Sequence, residues 1–224
     1  MASEYNLIVN FTEEDLKYIE GTGKQVVLVK ESDTSNHSML EQAGQSFVED
    51  VAWVTFSPWM TTKVTWQSSY AVYASDVEKM NGAIIEKMSS KQAEPRTRMY
   101  NFVSGGYFKD EDYNEGPQDM AYYITNISGE KETFGLAQSV KVRSTEYSLN
   151  PINAVTMLNN DIGYFIPVEK VKIFLTANAS NGKVISVVQS DTFTVDLTKK
   201  GTQTVIYDRA SGKFRIEEKK PEAV

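Results

Sequence analysis

The chain has 224 residues, a formal net charge of −7 and no cysteine. This length is enough for one large β domain or two small ones, and enough to bury a core without covalent cross-links. The acidic balance and the lack of any Lys/Arg run longer than a pair argue against nucleic acid binding, because a phosphate backbone requires a basic surface. The missing cysteines exclude disulfides, thiolate metal sites and a cysteine nucleophile, and fit a reducing compartment.

The N-terminal sequence MASEYNLIVNF has no basic segment followed by an apolar one, which is the pattern of a secretory signal. No apolar run approaches the roughly 20 residues of a membrane helix. We therefore expect a protein that is cytoplasmic as synthesised, and the sequence leaves open whether it acts outside the producing cell.

The first part of the chain predicts a strand, a helix and a second strand. Leu7–Phe11 alternates between apolar and polar residues, which is the period of a strand. Thr12 is followed by three acidic residues, and a hydroxyl cap with acids in the first turn marks a helix start. We expect this helix over Glu13–Glu20, a strand over Gln25–Glu31 and a polar loop over Ser32–Gln45.

An aromatic block, Val51–Ser75, contains all three tryptophans of the chain. Its alternation predicts two strands around a turn at Pro58, since proline offers no N–H group to a strand ladder. Core positions are expected at the following residues: Phe56, Val64, Tyr70, Val72, Ile173, Leu175 and Val187.

The rest of the chain consists of short alternating segments separated by turn signals. Asn181-Gly182 is the strongest of these signals, the dipeptide typical of a type I′ hairpin, with Val184–Val188 expected as its return strand. An acidic loop is expected over Asp110–Asp119. Further strands are expected at Ala83–Met88, Met99–Phe108, Met120–Ile127, Glu132–Val142, Val155–Leu158, Tyr164–Ile166, Val171–Thr176, Phe193–Leu197, Thr204–Tyr207 and Phe214–Ile216.

Roughly fifteen short strands, with turns about every eight to twelve residues, are typical of a sandwich or barrel. We predict an all-β fold: an antiparallel β-sandwich with one short N-terminal helix, formed by a single compact chain, 1–224. The alternative is a pair of fused sandwich-like halves produced by internal duplication.

Two segments carry the signature of a duplication. YNFVSGGYF at Tyr100–Phe108 resembles YDRASGKF at Tyr207–Phe214, and similar Pro, Lys-Val and Ala-Ser landmarks precede both in the same order. We therefore predict repeated β units over about 24–109 and 130–215, with Tyr100 and Tyr207 in corresponding strands.

No catalytic set is visible in the sequence. The single histidine, His37, lies between Asn36 and Ser38, with neither a positioned nucleophile nor an orienting acid nearby. The GTGK sequence at 21–24 lacks the spacing of a phosphate-binding loop. We assign no catalytic residue and no cofactor.

The acidic loop does not match a calcium-binding EF-hand. Asp110, Asp112 and Asn114 alternate as such a loop begins, but Gly116 falls one position late and residue 121 is Ala121 rather than glutamate. A solvated linker and a looser calcium site remain as alternatives, and we assign no metal ligand.

Four residues of the aromatic block are candidate ligand-binding residues. Trp59 and Met60 follow Pro58 in a turn, and turns run over the surface. Tyr70 and Tyr73 could add aromatic stacking and a hydroxyl donor, the chemistry that suits a sugar face or a choline group. The negative net charge disfavours anionic lipid, so the expected partners are cell-surface glycans or neutral lipid headgroups.

Three functions compete on this basis. The first is a non-enzymatic, lectin-like binding protein of toxin or defence type that attaches to cell surfaces. The second is a small-molecule carrier or cyclase-like β protein with an aromatic-lined pocket. The third is a structural protein that assembles into homo-oligomers through exposed edge strands.

Overall fold

The computed structural model describes residues 3–36, 49–94, 98–112, 120–186 and 192–217. These ranges contain strands throughout and one short helix, which confirms the all-β prediction. In chain order the elements are β1 (Glu4–Asn10), α1 (Glu13–Ile19), β2 (Lys24–Asn36), β3 (Glu49–Val51), β4 (Val54–Phe56), β5 (Thr61–Gln67), β6 (Tyr70–Ser75), β7 (Ser89–Ala93), β8 (Arg98–Val103), β9 (Tyr107–Asp112), β10 (Tyr122–Ile127), β11 (Glu132–Val142), β12 (Thr145–Pro151), β13 (Val155–Met157), β14 (Ile162–Ala177), β15 (Val184–Ser186), β16 (Phe193–Asp196), β17 (Thr202–Asp208) and β18 (Lys213–Ile216).

Two large sheets form the body of the molecule. The main path of the first runs β18-β17-β1-β5-β11-β6-β7, with β12 and β13 also paired to β11. The path of the second runs β4-β2-β14-β10-β8-β9, with β16 paired to β14. Each sheet contains one parallel pair, β1 with β17 and β8 with β10, so the sheets are mixed rather than purely antiparallel.

The sheets pack face to face, and the core lies between them. Leu7, Val64 and Leu136 from the first sheet join Leu28 and Ile173 from the second in one cluster of buried side chains. A small third sheet, β3 with β15, lies over the outer face of the second sheet. Burial of that outer face explains the continuous apolar run at the start of β2, because a strand covered on both sides does not alternate.

The short helix begins where the sequence analysis places it. Thr12 caps α1: its hydroxyl accepts from the Asp15 N–H, and the Asp15 side chain accepts from the Thr12 N–H. This capping box satisfies N–H groups that a helix N-terminus otherwise leaves unpaired. Leu16 and Ile19, three residues apart on one face, pack against the core.

Most of the expected core residues lie in the interior. Phe56, Val64, Tyr70, Val72 and Ile173 are buried, and Leu175 is partly buried against the same core. Val187 lies outside the described residues, as do His37 and positions 113–119 of the acidic loop.

Three expectations about strands are corrected. The segments predicted at Tyr164–Ile166 and Val171–Thr176 form one long strand, β14, with a bulge between Pro167 and Val171. Ala83–Met88 is not a strand and makes only an isolated bridge through Ile84. After Asn181-Gly182 the chain does not return along β14, because β15 pairs with β3 instead.

The two sheets repeat one another's pairing pattern. Leu28 of β2 pairs with β4 and β14, and Phe134 of β11 pairs with β13 and β6. Each sheet also carries a hairpin at one edge, β8-β9 or β17-β18, whose first strand runs parallel to the next strand inward. Tyr100 and Tyr207 lie in these corresponding strands, β8 and β17.

Candidate functional site

An exposed tryptophan stands at one end of the sandwich, in the turn between β4 and β5. Trp59 is 57% exposed and the adjacent Met60 is 44% exposed. The turn is fixed in place because the Phe11 N–H donates to the Met60 carbonyl at 3.0 Å, which ties it to the chain just before α1. The other two tryptophans, Trp53 and Trp66, are buried.

The Trp59 turn and α1 enclose an open groove of about 540 Å³. Leu16 and Ile19 of the helix lie on one side, and Pro58, Trp59 and Met60 lie on the other. These side chains give the groove an apolar lining, and its volume is in the range of small-ligand sites. We call this feature the Trp59 groove.

Charged side chains of both signs line the Trp59 groove. Glu13 and Glu20 supply two carboxylates, and Lys17 and Lys24 supply two ammonium groups. Within the described part of the chain none of the four forms an ion pair. Because the charges balance, the groove itself favours a ligand without net charge.

Arg143 lies against Trp59 on the loop between β11 and β12. Its guanidinium carbon is 5.5 Å from the centre of the indole ring, the distance of a cation–π contact. Arg143 also has a φ of 55°, a left-handed conformation that costs an ordinary residue about 1–2 kcal/mol. Hairpin loops usually place Gly, Asn or Asp at such positions.

Tyr70 and Tyr73 do not join Trp59 and Met60 at the surface. Tyr70 is 4% exposed and Tyr73 is fully buried, because every residue of β6 is covered, on one face by the core and on the other by side chains around Ile85 and Val184. The Tyr73 hydroxyl donates to the Asn153 carbonyl. The expectation that these two tyrosines serve a surface site is therefore corrected to an interior position.

A buried ion pair lies in the core beside this tyrosine strand. The Lys30 ammonium is 2.6 Å from Glu169 Oε2, and the Lys30 side chain has no exposed surface. Trp66 Nε1 donates to the same oxygen at 3.0 Å, and the Tyr70 hydroxyl donates to Glu169 Oε1 at 2.6 Å. Indole rings flank the Lys30 nitrogen, with centroid distances of 5.6 Å to Trp53 and 5.1 Å to Trp66.

The surroundings of Glu169 keep it ionised. Burial opposes the charge, but the Lys30 ammonium and the hydrogen bonds from Lys30, Tyr70 and Trp66 outweigh burial and hold the pKa of this carboxyl below its ordinary value. Burial and the Glu169 charge together raise the pKa of the Tyr70 hydroxyl, which therefore stays protonated as a donor. The cluster contains one compensated charge pair with its hydrogen-bond partners in place.

Two sequence signals could have located this ion pair. Alternation in β2 places Lys30 on the same face as Val26 and Leu28, both core residues. Pro167 predicts an irregularity in the following strand, and the bulge there lies next to Glu169. Arg143 had no such signal, since its conformation depends on the hairpin that carries it.

Other expected features lie partly outside the described ranges. Within those ranges Asp110 is paired with Lys91 and Arg98, and no group of three or more acidic or histidine side chains is arranged to hold a metal ion. No helix in the described ranges has the length and apolar character needed to cross a bilayer.

The chain matches no protein-family model, and no significant similarity relates it to a curated protein or to a solved structure.

Proposed function

We propose that this protein is a non-enzymatic binding protein that attaches to a cell surface, through a neutral glycan or a zwitterionic lipid headgroup held at the Trp59 groove. The observation that carries the proposal is the exposure of Trp59 at the rim of an apolar groove. Exposing an indole to water is unfavourable, since it leaves a large apolar surface uncovered. A ligand that stacks on this ring would cover it.

The charge distribution supports a ligand without net charge. The groove carries two acidic and two basic side chains, and the whole chain is acidic, with a formal charge of −7. An anionic membrane would be repelled by this net charge at long range. A sugar ring or a zwitterionic headgroup avoids that cost and still offers the C–H surface on which tryptophan stacks.

The first test uses the natural difference between the tryptophans. Because Trp53 and Trp66 are buried, acrylamide should quench the fluorescence of Trp59 selectively. Phosphatidylcholine vesicles or a neutral oligosaccharide should protect Trp59 from this quencher. Quenching that no vesicle or glycan of a broad panel alters would contradict the proposal.

A second test measures binding without relying on fluorescence. Trp59→Ala should weaken vesicle co-sedimentation or glycan-array binding about tenfold, equivalent to about 1.4 kcal/mol, while its melting temperature stays within a few degrees of the parent. Tyr18→Ala is the matched control, because Tyr18 is 61% exposed on the same helix but does not line the groove. Equal binding by folded Trp59→Ala protein would remove Trp59 from any site.

A carrier of small molecules is the second candidate function. It is favoured by the volume of the groove, about 540 Å³, which suits a free metabolite as well as a headgroup. Native mass spectrometry of freshly purified protein distinguishes the two functions, because a carrier should retain a bound small molecule. Assembly through edge strands stays a prediction, to be tested by sedimentation at increasing protein concentration.

A further inference from the structure

Two cations face each other beside Trp59, on the first sheet. Arg143 directly follows β11, and its N–H donates to the Lys63 carbonyl of β5 at 2.8 Å. Both side chains are exposed. Like charges at facing positions of neighbouring strands are destabilising, and within the described residues neither side chain has a carboxylate partner. A ligand with an anionic group would relieve the repulsion.

The backbone of Arg143 points the same way. A residue other than glycine in the left-handed region, here with a φ of 55°, is a source of strain that often marks a binding site. The strained turn holds the guanidinium over the Trp59 ring at 5.5 Å. An arginine in this setting presents a planar fork of donors that matches a phosphate.

Trp59 separates this cation pair from the acidic side chains of the groove. It contacts Arg143 and also lines the groove with Glu13 and Glu20. A positive subsite therefore lies on one side of the indole, and carboxylates lie on the other. Aromatic rings together with carboxylates bind quaternary ammonium groups.

Resting on the proposed function, we propose that the ligand of this site is a phosphocholine headgroup of a zwitterionic lipid. Its phosphate binds Arg143 and Lys63, and its trimethylammonium group packs against Trp59 on the side of the groove. The apolar lining formed by Leu16, Ile19 and Met60 favours a lipid over an acidic glycan, since a glycan presents hydroxyls to every side. An acidic glycan is the alternative that the experiment must distinguish.

The experiment compares vesicle co-sedimentation of the full chain and its variants. Phosphatidylcholine vesicles should bind the parent, and soluble phosphocholine should compete, with choline and inorganic phosphate each competing less well. Arg143→Asn and Lys63→Gln should each weaken this binding about tenfold. Asparagine tolerates the left-handed conformation, so Arg143→Asn should keep the stability of the parent. Lys213→Gln, which removes an exposed cation on edge strand β18, is the matched control and should bind normally.

The outcomes separate this proposal from the proposed function. If Trp59→Ala loses binding while Arg143→Asn and Lys63→Gln retain it, the groove binds a ligand but the phosphate subsite is wrong. If the parent binds acidic glycans on an array and ignores phosphatidylcholine, the cations recognise an anion but the lipid assignment is overturned. If neither Trp59→Ala nor Arg143→Asn changes binding to any vesicle or glycan, both proposals fail.

Discussion

At the scale of single residues, the Lys30–Glu169 pair is the least expected feature of the core. One carboxylate accepts hydrogen bonds from an ammonium, an indole and a phenol, and all three donors come from strands distant in sequence. A buried charge is tolerated when its partner and its remaining hydrogen bonds are all in place. Removing one partner should therefore be much more harmful than removing both.

Glu169→Gln should lower the free energy of unfolding by about 3–5 kcal/mol, because it leaves the Lys30 ammonium buried without a counter-charge. Lys30→Met with Glu169→Gln should recover most of that loss, since the amide oxygen still accepts from Tyr70 and Trp66. Urea denaturation of the two single variants and the double variant checks this cycle. Additive losses in the double variant would show that the two charges do not act as a pair.

The lowered pKa of Glu169 gives stability a definite dependence on pH. A carboxyl whose pKa is lower in the folded state stabilises the fold above its ordinary pKa of 4.5, and that contribution disappears as the pH falls through the folded-state value. The free energy of unfolding should therefore decrease on acidification below about pH 4.5. The decrease should be smaller in the Lys30→Met, Glu169→Gln double variant, and identical slopes for the two proteins would contradict the assignment.

At the scale of elements, close approach between segments decides several positions. Asn153 lies just before β13, where its side-chain oxygen accepts from the Leu136 N–H and its carbonyl accepts from the Tyr73 hydroxyl. A Cβ atom at Gly135 would lie 2.3 Å from that carbonyl and 2.8 Å from the Tyr73 ring. Glycine at this position of β11 allows the segment before β13 to lie directly on the sheet.

Gly135→Ala should destabilise the protein by about 1–3 kcal/mol or more, because the added methyl group meets backbone that cannot move independently. Gly163→Ala is the control: its Cβ would lie 3.0 Å from the Met157 sulfur, and a flexible methionine side chain can yield. Thermal unfolding followed by circular dichroism compares the two. A milder effect at Gly135 than at Gly163 would show that the segment around Asn153 is free to shift.

At the scale of the whole molecule, the two halves of the chain exchange strands. Each large sheet combines strands from both halves: β2 lies along nearly the whole of β14, and β11 lies between β5 and β6. We propose that the halves descend from one duplicated unit, which the repeated pairing pattern supports. The ion pair departs from that pattern, because Lys30 pairs with Val171 where its counterpart Leu136 pairs with Val72.

Strand exchange predicts that neither half folds alone. Fragments 1–112 and 113–224, expressed separately, should lack cooperative thermal unfolding, since each leaves its longest strands without partners. Mixing the fragments should restore the near-ultraviolet circular dichroism of the intact chain. A cooperative transition in either isolated fragment would show instead that the halves are independent domains.

Local patterns in the sequence determined the strands, the capped helix and the exposed turn. Alternation, the Thr12 hydroxyl before acids and the proline before Trp59 act over a few residues, so the sequence alone reveals them. Tertiary structure alone decided that Tyr70 and Tyr73 lie in the interior. An alternating pattern distinguishes two faces of a strand but does not say which other strand, sheet or layer will cover each face.

The same limit applies to the candidate site. Trp59 and Met60 could be named from the sequence because a turn residue is exposed wherever its strands pair. Arg143 and Lys63 could not, since only the pairing of β5 with β11 brings them together. Lys30 and Glu169 are 139 residues apart in the chain, and their contact exists because β2 and β14 are neighbours in the second sheet. Pairing between distant strands is set by the packing of the whole molecule, which no local pattern contains.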